Sequence, residues 1–248
     1  MNRYIALSVL ILTGIAATYF CNPPEPSIAI QSQAITVNNE LGLAPSQAIT
    51  DYVKPFKDSL DSQMNVVIGY APEDMTKGRP QSLLSNFVAD LLLQQANKLI
   101  PTDIAVVNMG GLRYPILKGD ITVRSIFAVM PFENAFVVVS MSGDAIWQLA
   151  TEIVKVEGEG FAGMHIVVKE GELAQVMING KPLDKRASYS LATSDYLLTG
   201  KDGLTALLQH KVIVESTIKI RDLILNHIRE LTENGKQITA TIDDRYVE

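Results

Sequence analysis

The sequence predicts a mixed α/β domain, and three observations predict it. Short apolar runs of strand length, residues 104–107 (IAVV) and 135–141 (AFVVVSM), are each bounded by polar residues. Longer segments with helical spacing of apolar residues, 82–99 and 142–156, occur between and beside them. Loops bearing Gly, Asn and Pro separate the segments, and no stretch repeats another.

Taken in order, residues 1–20 (MNRYIALSVLILTGIAATYF) hold a single Arg3 and then an uncharged apolar run. This reads as a signal peptide over residues 1–21, with a membrane anchor as the other reading. Cys21 follows at once and is the only cysteine, so no internal disulfide is possible. Its place before Asn-Pro-Pro-Glu-Pro marks it as a candidate lipidation site of a bacterial lipoprotein. Phe20 stands where such signals carry a small residue, and ordinary cleavage nearby is the alternative. Residues 22–48 read as a tether, and 49–248 as one domain.

Within the domain, Tyr52, Val53, Phe56 and Leu60 give a helix over 51–62, and 65–70 (NVVIGY) a strand. Residues 82–99 form the clearest helix, with Leu84, Val88, Leu91 and Leu92 on one face and Ser82 able to cap it. Asn86 and Asp90 on that helix read as structural. A turn at Gly119-Asp120 precedes a short helix from Thr122. Residues 142–156 form an amphipathic helix whose Trp147 is a core residue rather than a ligand platform. Strands at 165–169, 173–178 and 188–192 follow, with Asn179-Gly180 a strong turn signal. Helices over 204–208 and 217–231 and a late strand over 237–246 complete the chain.

Composition limits the function. The 47% hydrophobic content and ordinary charge are those of a folded domain, long enough to bury a core. A formal charge of −6 with no Lys/Arg cluster argues against nucleic acid as a partner. The polar interest is concentrated in residues 108–134, which open with Asn-Met-Gly-Gly-Leu-Arg and close with Pro-Phe-Glu-Asn beside two apolar runs. Gly110 and Gly111 allow a sharp turn or close approach to a ligand. Asn108 and Arg113 can place an amide and a guanidinium on one side of that turn. Loops at the ends of buried strands are where ligands bind in open α/β sheets.

These residues resemble the C-terminal, substrate-binding domain of the 5'-nucleotidases, which typically reads NGGGIR and then PFGN. A third piece fits as well: Tyr196-Leu-Leu-Thr-Gly-Lys-Asp202-Gly203 keeps the spacing between the family's aromatic residue and its GGDG turn. The resemblance covers about residues 50–246 and implies layers of helix, sheet, sheet and helix. It assigns Phe132 and Tyr196 as two rings that clamp a nucleobase; a core position is the usual fate of such aromatics, but their loop positions among Pro, Glu, Asn, Ser and Asp favour the clamp. Asn108 and Asn134 can read the base edge, and Asp202 can accept from a ribose diol. Arg113 can serve ribose or phosphate, and Gly111 gives close approach. Lys201 replaces the second Gly of GGDG and would displace the Asp202 loop if that position needs a positive φ. Arg79 lies one position from a basic residue of the family. Gly163 matches a family glycine and serves close backbone approach.

The family's phosphohydrolase chemistry resides in a separate two-metal domain, which needs clustered His, Asp and Asn ligands. Asp-x-His, Asn-His-Asp/Glu and Gly-His-x-His are all missing, and His165, His210 and His227 are scattered. The expectation is therefore a nucleoside- or nucleotide-recognising half with no catalytic residue, metal or cofactor of its own. A separate metallophosphatase chain would be its partner and would hold the divalent metals. The alternatives are an exported nucleoside-binding protein with no enzymatic role, or a remnant whose clamp no longer binds. Location would be periplasmic or at a bacterial membrane, the latter only through an N-terminal lipid or an uncleaved signal.

Overall fold

The computed structural model describes residues 46–248 and, before them, Ser32, Ala34 and Ala44. The expected signal segment 1–21, with Cys21, and most of the tether 22–48 lie outside the described residues. The main compact unit is Asp51–Glu248. Helix α1, Gln47–Met64, begins two residues inside the segment expected to be tether. No residue of α1 is buried, and the predicted face of Tyr52, Phe56 and Leu60 is exposed. The helical spacing there forms a helix without forming a core.

Strand β1, Val67–Ala71, pairs antiparallel with β3, Gly119–Thr122. The expected turn at Gly119-Asp120 is thus the start of a strand, with Gly119 at φ 117° supplying the bend. Between them run α2, Leu83–Leu99, and β2, Ile104–Val107. Ser82 caps α2 as expected, in a box completed by Ser85. Thr122 likewise caps α3, Val123–Val129. Then come β4, Ala135–Ser142, and α4, Gly143–Lys155.

Short strand β5, Gly160–Ala162, leads into β6, Met164–Lys169, followed by β7, Glu172–Ile178, and β8, Lys181–Pro182. Asn179 and Gly180, both at positive φ, make the β7–β8 hairpin turn. Strand β9 is Ser188–Ser194. Residues Thr205–Leu208 form a 3-10 turn within the segment expected to be a helix.

Two further differences concern the C-terminal part. Residues 217–219, expected to open the last helix, end strand β10, Lys211–Lys219, and the helix α5 is Ile220–Glu233. The late strand is only β11, Tyr246–Val247. Ahead of it, Asn86 Nδ2 donates to the Thr241 carbonyl and Gln81 Nε2 to that of Asp243, so side chains serve this backbone where a strand partner was expected.

The main sheet runs β10-β4-β9-β2-β5, and a second runs β11-β6-β7-β8. Alternation sends Ala105, Val107, Phe136, Val138 and Ala192 to one face, against α2, α3 and α5. Ile104, Val106, Val139, Met141 and Leu191 point to the other, where α4 packs against strands of both sheets. The mixed α/β class holds. On that second face Ile146, Leu149, Ala150 and Ile153 of α4 join one core with Met164, Ile166, Val176 and Ile178 of the second sheet. Trp147 packs at the edge of that core, as its spacing predicted.

Candidate functional site

Strand direction brings the polar loops together. β2 and β9 are parallel, with Ala105 beside Ala192, so their C-terminal ends share one edge of the main sheet. β4 is antiparallel to β9, with Phe136 beside Ser194, so the segment that precedes β4 reaches the same edge. β5 is antiparallel to β2, with Val107 beside Gly160, and β10 delivers Lys219 beside Ala135. Residues 108–113, 132–134 and 195–202 therefore meet, flanked by the start of β5 on one side and the start of α5 on the other.

They enclose a cleft of about 240 Å³ lined by Asn108, Gly110, Gly111, Arg113, Phe132, Asn134, Tyr196 and Asp202. All seven pocket residues singled out in the sequence are among these eight. Phe132 is 41% exposed and Tyr196 37%, values that place both rings at the cleft and outside the core. Asn108 is buried and its Nδ2 donates to Asp202 Oδ2 at 2.5 Å. The Tyr196 hydroxyl donates to Asp202 Oδ1 at 3.1 Å, and that bond to a carboxylate raises the Tyr196 pKa. Both Asp202 oxygens are thereby fixed, each with acceptor capacity left for a ligand. Arg113 lines the cleft from an exposed position, and its Nη1 donates to the Gly110 carbonyl at 3.4 Å.

The Lys201 departure is absorbed by the backbone. The left-handed residues of this loop are Gly200 at φ 72°, Asp202 at φ 57° and Gly203 at φ 81°, and Lys201 is not among them. Asp is one of the non-Gly residues that tolerate that region.

The supports of the cleft were not legible beforehand. Asp195 Oδ1 accepts the Ala135 and Tyr196 amides, tying the β9 loop to the start of β4. Arg221, buried at the start of α5, pairs with Glu133 and lies 4.0 Å over the Phe127 ring, anchoring the loop that carries Phe132. Glu159, 2% exposed, accepts the Met109 amide and pairs with Arg79 at 2.8 Å. Arg79 is not in the cleft; its other donors serve the carbonyls of Val156 and Gly158. Asn86 and Asp90 are structural, as read: Asn86 serves Gln81 and Thr241, and Asp90 pairs with Arg245.

The described residues do not fit a two-metal centre. Among the described residues no three His, Cys, Asp or Glu side chains converge on one point. His165 lies on β6, His210 sits against the Leu207 carbonyl, and His227 on α5 packs near Phe87.

Fold and cleft define a mixed α/β domain with a small cleft built from loops at one edge of a mixed sheet. The chain belongs to the 5'-nucleotidase C-terminal domain family, whose model matches residues 67–209. It is 28% identical to Protein UshA of Escherichia coli over 66% of this chain and 31% of that protein. It is 27% identical to a 5'-nucleotidase of Vibrio parahaemolyticus over 80% of this chain and 36% of that one. The chain thus spans about a third of the length of these relatives. The structure of a 5'-nucleotidase precursor from Thermus thermophilus superposes with a TM-score of 0.68 at 25% identity, over 81% of this chain and 42% of that one.

Proposed function

We propose that this chain is the nucleoside- or nucleotide-recognising half of a 5'-nucleotidase-type phosphohydrolase. Phe132 and Tyr196 stack the base, Asn108 and Asn134 read its edge, Asp202 takes the ribose diol, and Arg113 serves ribose or phosphate above the turn at Gly111. The observation that carries this reading is the convergence of these seven residues, drawn from three distant loops, on one cleft. Phosphate release then belongs to a metallophosphatase on a separate chain that holds the divalent metals, as part of nucleotide catabolism. None of the cleft residues generates a hydroxide nucleophile at neutral pH, which is what a two-metal site does by lowering the pKa of bound water. Export, with Cys21 lipidated, would put the pair at or near a bacterial membrane.

The test is phosphate release from AMP in Mg²⁺, Mn²⁺ or Zn²⁺. The purified chain alone should release none above the blank, and adding the cognate metallophosphatase should give release that Phe132→Ala impairs. Metal-dependent turnover by the chain alone overturns the proposal. Tight adenosine binding with no stimulation by any copurifying phosphatase would favour a nucleoside-binding protein without an enzymatic role, a reading that the cleft's completeness within this one domain also supports.

A further inference from the structure

Glu159 is a buried acid that the proposed function does not use. It sits in the segment ahead of β5, where Gly160 lets that strand come close: a Cβ there would fall 2.6 Å from Val107 Cγ1 and 3.1 Å from Ser85 Cβ. The close approach places the Glu159 carboxylate behind the Met109–Gly111 turn. One oxygen takes the Met109 amide, the first of the turn's unpaired donors, and the other meets Arg79 Nη2 at 2.8 Å. Arg79 in turn holds the Val156 and Gly158 carbonyls, so the carboxylate is fixed from both sides.

The consequence falls on Asn108. An Asn ahead of a helical turn ordinarily spends its side chain on the turn's own amides. Here it makes no such bond, and its Nδ2 goes to Asp202 in the cleft. Burying a carboxylate is costly unless it is paired and hydrogen-bonded, and Glu159 meets that condition at the one turn which carries Asn108, Gly110 and Gly111.

We infer that Glu159 is a positioning residue for the cleft: from behind the glycine turn its carboxylate, braced by Arg79, holds the Met109 amide and so fixes the turn that presents the Asn108 Nδ2 to Asp202 and the ligand. The inference rests on the nucleoside reading of the cleft. Its charged surroundings are Arg79 ahead of α2 and Asp202 after β9, with the Met109 amide after β2. Burial pushes the Glu159 pKa up and Asp202 adds to the rise, while the Met109 amide and Arg79 oppose it. Below that raised pKa the carboxylate takes a proton and its hold on Arg79 and Met109 weakens.

The experiment is calorimetric titration of the full chain with adenosine and AMP, alongside thermal melting, for wild type, Glu159→Gln, Arg79→Ala and Arg79→Lys. Folded Glu159→Gln should bind about tenfold more weakly, the scale of one charge-assisted hydrogen bond. Arg79→Ala should follow it and Arg79→Lys recover most of the loss. The ratio between wild type and Glu159→Gln should shrink toward one as pH falls through the raised pKa. Wild-type binding matched by folded Glu159→Gln, or a ratio that does not change with pH, overturns the inference and leaves the nucleoside reading standing. Should Glu159→Gln not fold, equal binding by Arg79→Ala and wild type overturns it. No binding of either ligand by wild type overturns the nucleoside reading, and this inference with it.

Discussion

Asp202→Asn separates sugar recognition from base recognition in this cleft. The substitution keeps shape, and Asn tolerates the left-handed backbone that Asp202 adopts at φ 57° about as well as Asp does, so the loop should stay in place. The two local bonds also survive. The oxygen of the introduced amide can accept from Asn108 Nδ2, and its nitrogen can donate to the Tyr196 hydroxyl, which then turns from donor to acceptor. What is lost is the anionic acceptor offered to a ribose diol. A hydrogen bond to a charged group is worth about 1 kcal/mol more than a neutral one, and the exposure of Asp202 keeps the difference near that lower figure. That corresponds to roughly a five- to tenfold loss of affinity for adenosine. Adenine, which has no sugar, should lose little. Calorimetry of both ligands on the wild type and the variant gives the ratio directly. Equal weakening for adenine and adenosine would refute the assignment of Asp202 to the sugar, as would unchanged adenosine affinity.

Phe132→Ala removes one face of the proposed clamp and should weaken nucleoside binding by about 1–3 kcal/mol, with the melting temperature little changed because the ring is 41% exposed. A large drop in melting temperature would show Phe132 to be a core residue. Gly163→Ala should destabilise strongly, by more than about 3 kcal/mol, since the residue sits at φ 74° and an added Cβ would lie 2.0 Å from the Asp103 carbonyl oxygen; urea denaturation measures it. Glu159 has a folded pKa raised above its ordinary value of 4.5, so the folded state takes up a proton before the unfolded state does. Its contribution to stability is therefore full below 4.5 and lost as pH rises through the folded pKa; wild type should gain stability relative to Glu159→Gln on acidification, read as a growing difference in melting temperature.

The cleft was legible in the sequence because its residue types are tied to spacing: a glycine pair between Asn108 and Arg113, Pro-Phe-Glu-Asn ahead of a strand, and an aromatic six positions before Asp202. The elements with clean periods were legible for the same reason, above all α2, α4, β2 and β4. Strand β10 was not, because its pairing with β4 shifts register between Val212 and Val214 and again between Glu215 and Lys219. Those irregularities break the two-residue alternation, and Thr217-Ile218 then reads as the first turn of α5. The supports were hidden for another reason. Arg221 reaches Glu133 across 88 positions, and Arg79 reaches Glu159 across 80. Such pairs have no local pattern; only the strand order brings them to one sheet edge. Helix α1 shows the converse, a readable period whose apolar residues Tyr52, Phe56 and Leu60 stay exposed, with only Met64 at its end packed against the core.

Lys201 tests whether a family pattern or the local backbone sets the needs of a loop. By pattern alone the family's glycine should be preferred there, and Lys201→Gly should improve binding by releasing a strained Asp202 loop. The backbone argues otherwise. The positive-φ positions are Gly200, Asp202 and Gly203, so Lys201 occupies a conformation open to any residue. A glycine there gains no contact and enlarges the conformational freedom of the unfolded chain, which costs about 0.4–1 kcal/mol of stability. Lys201→Gly should therefore melt slightly lower than wild type in urea or heat and bind adenosine with the same affinity, since Lys201 does not line the cleft. A gain in stability or a tighter complex would mean that Lys201 is strained after all. Gly200→Ala is the opposite case: at φ 72°, with Leu208 side-chain atoms 3.0–3.3 Å from an added Cβ, it should lose clearly more stability than Lys201→Gly.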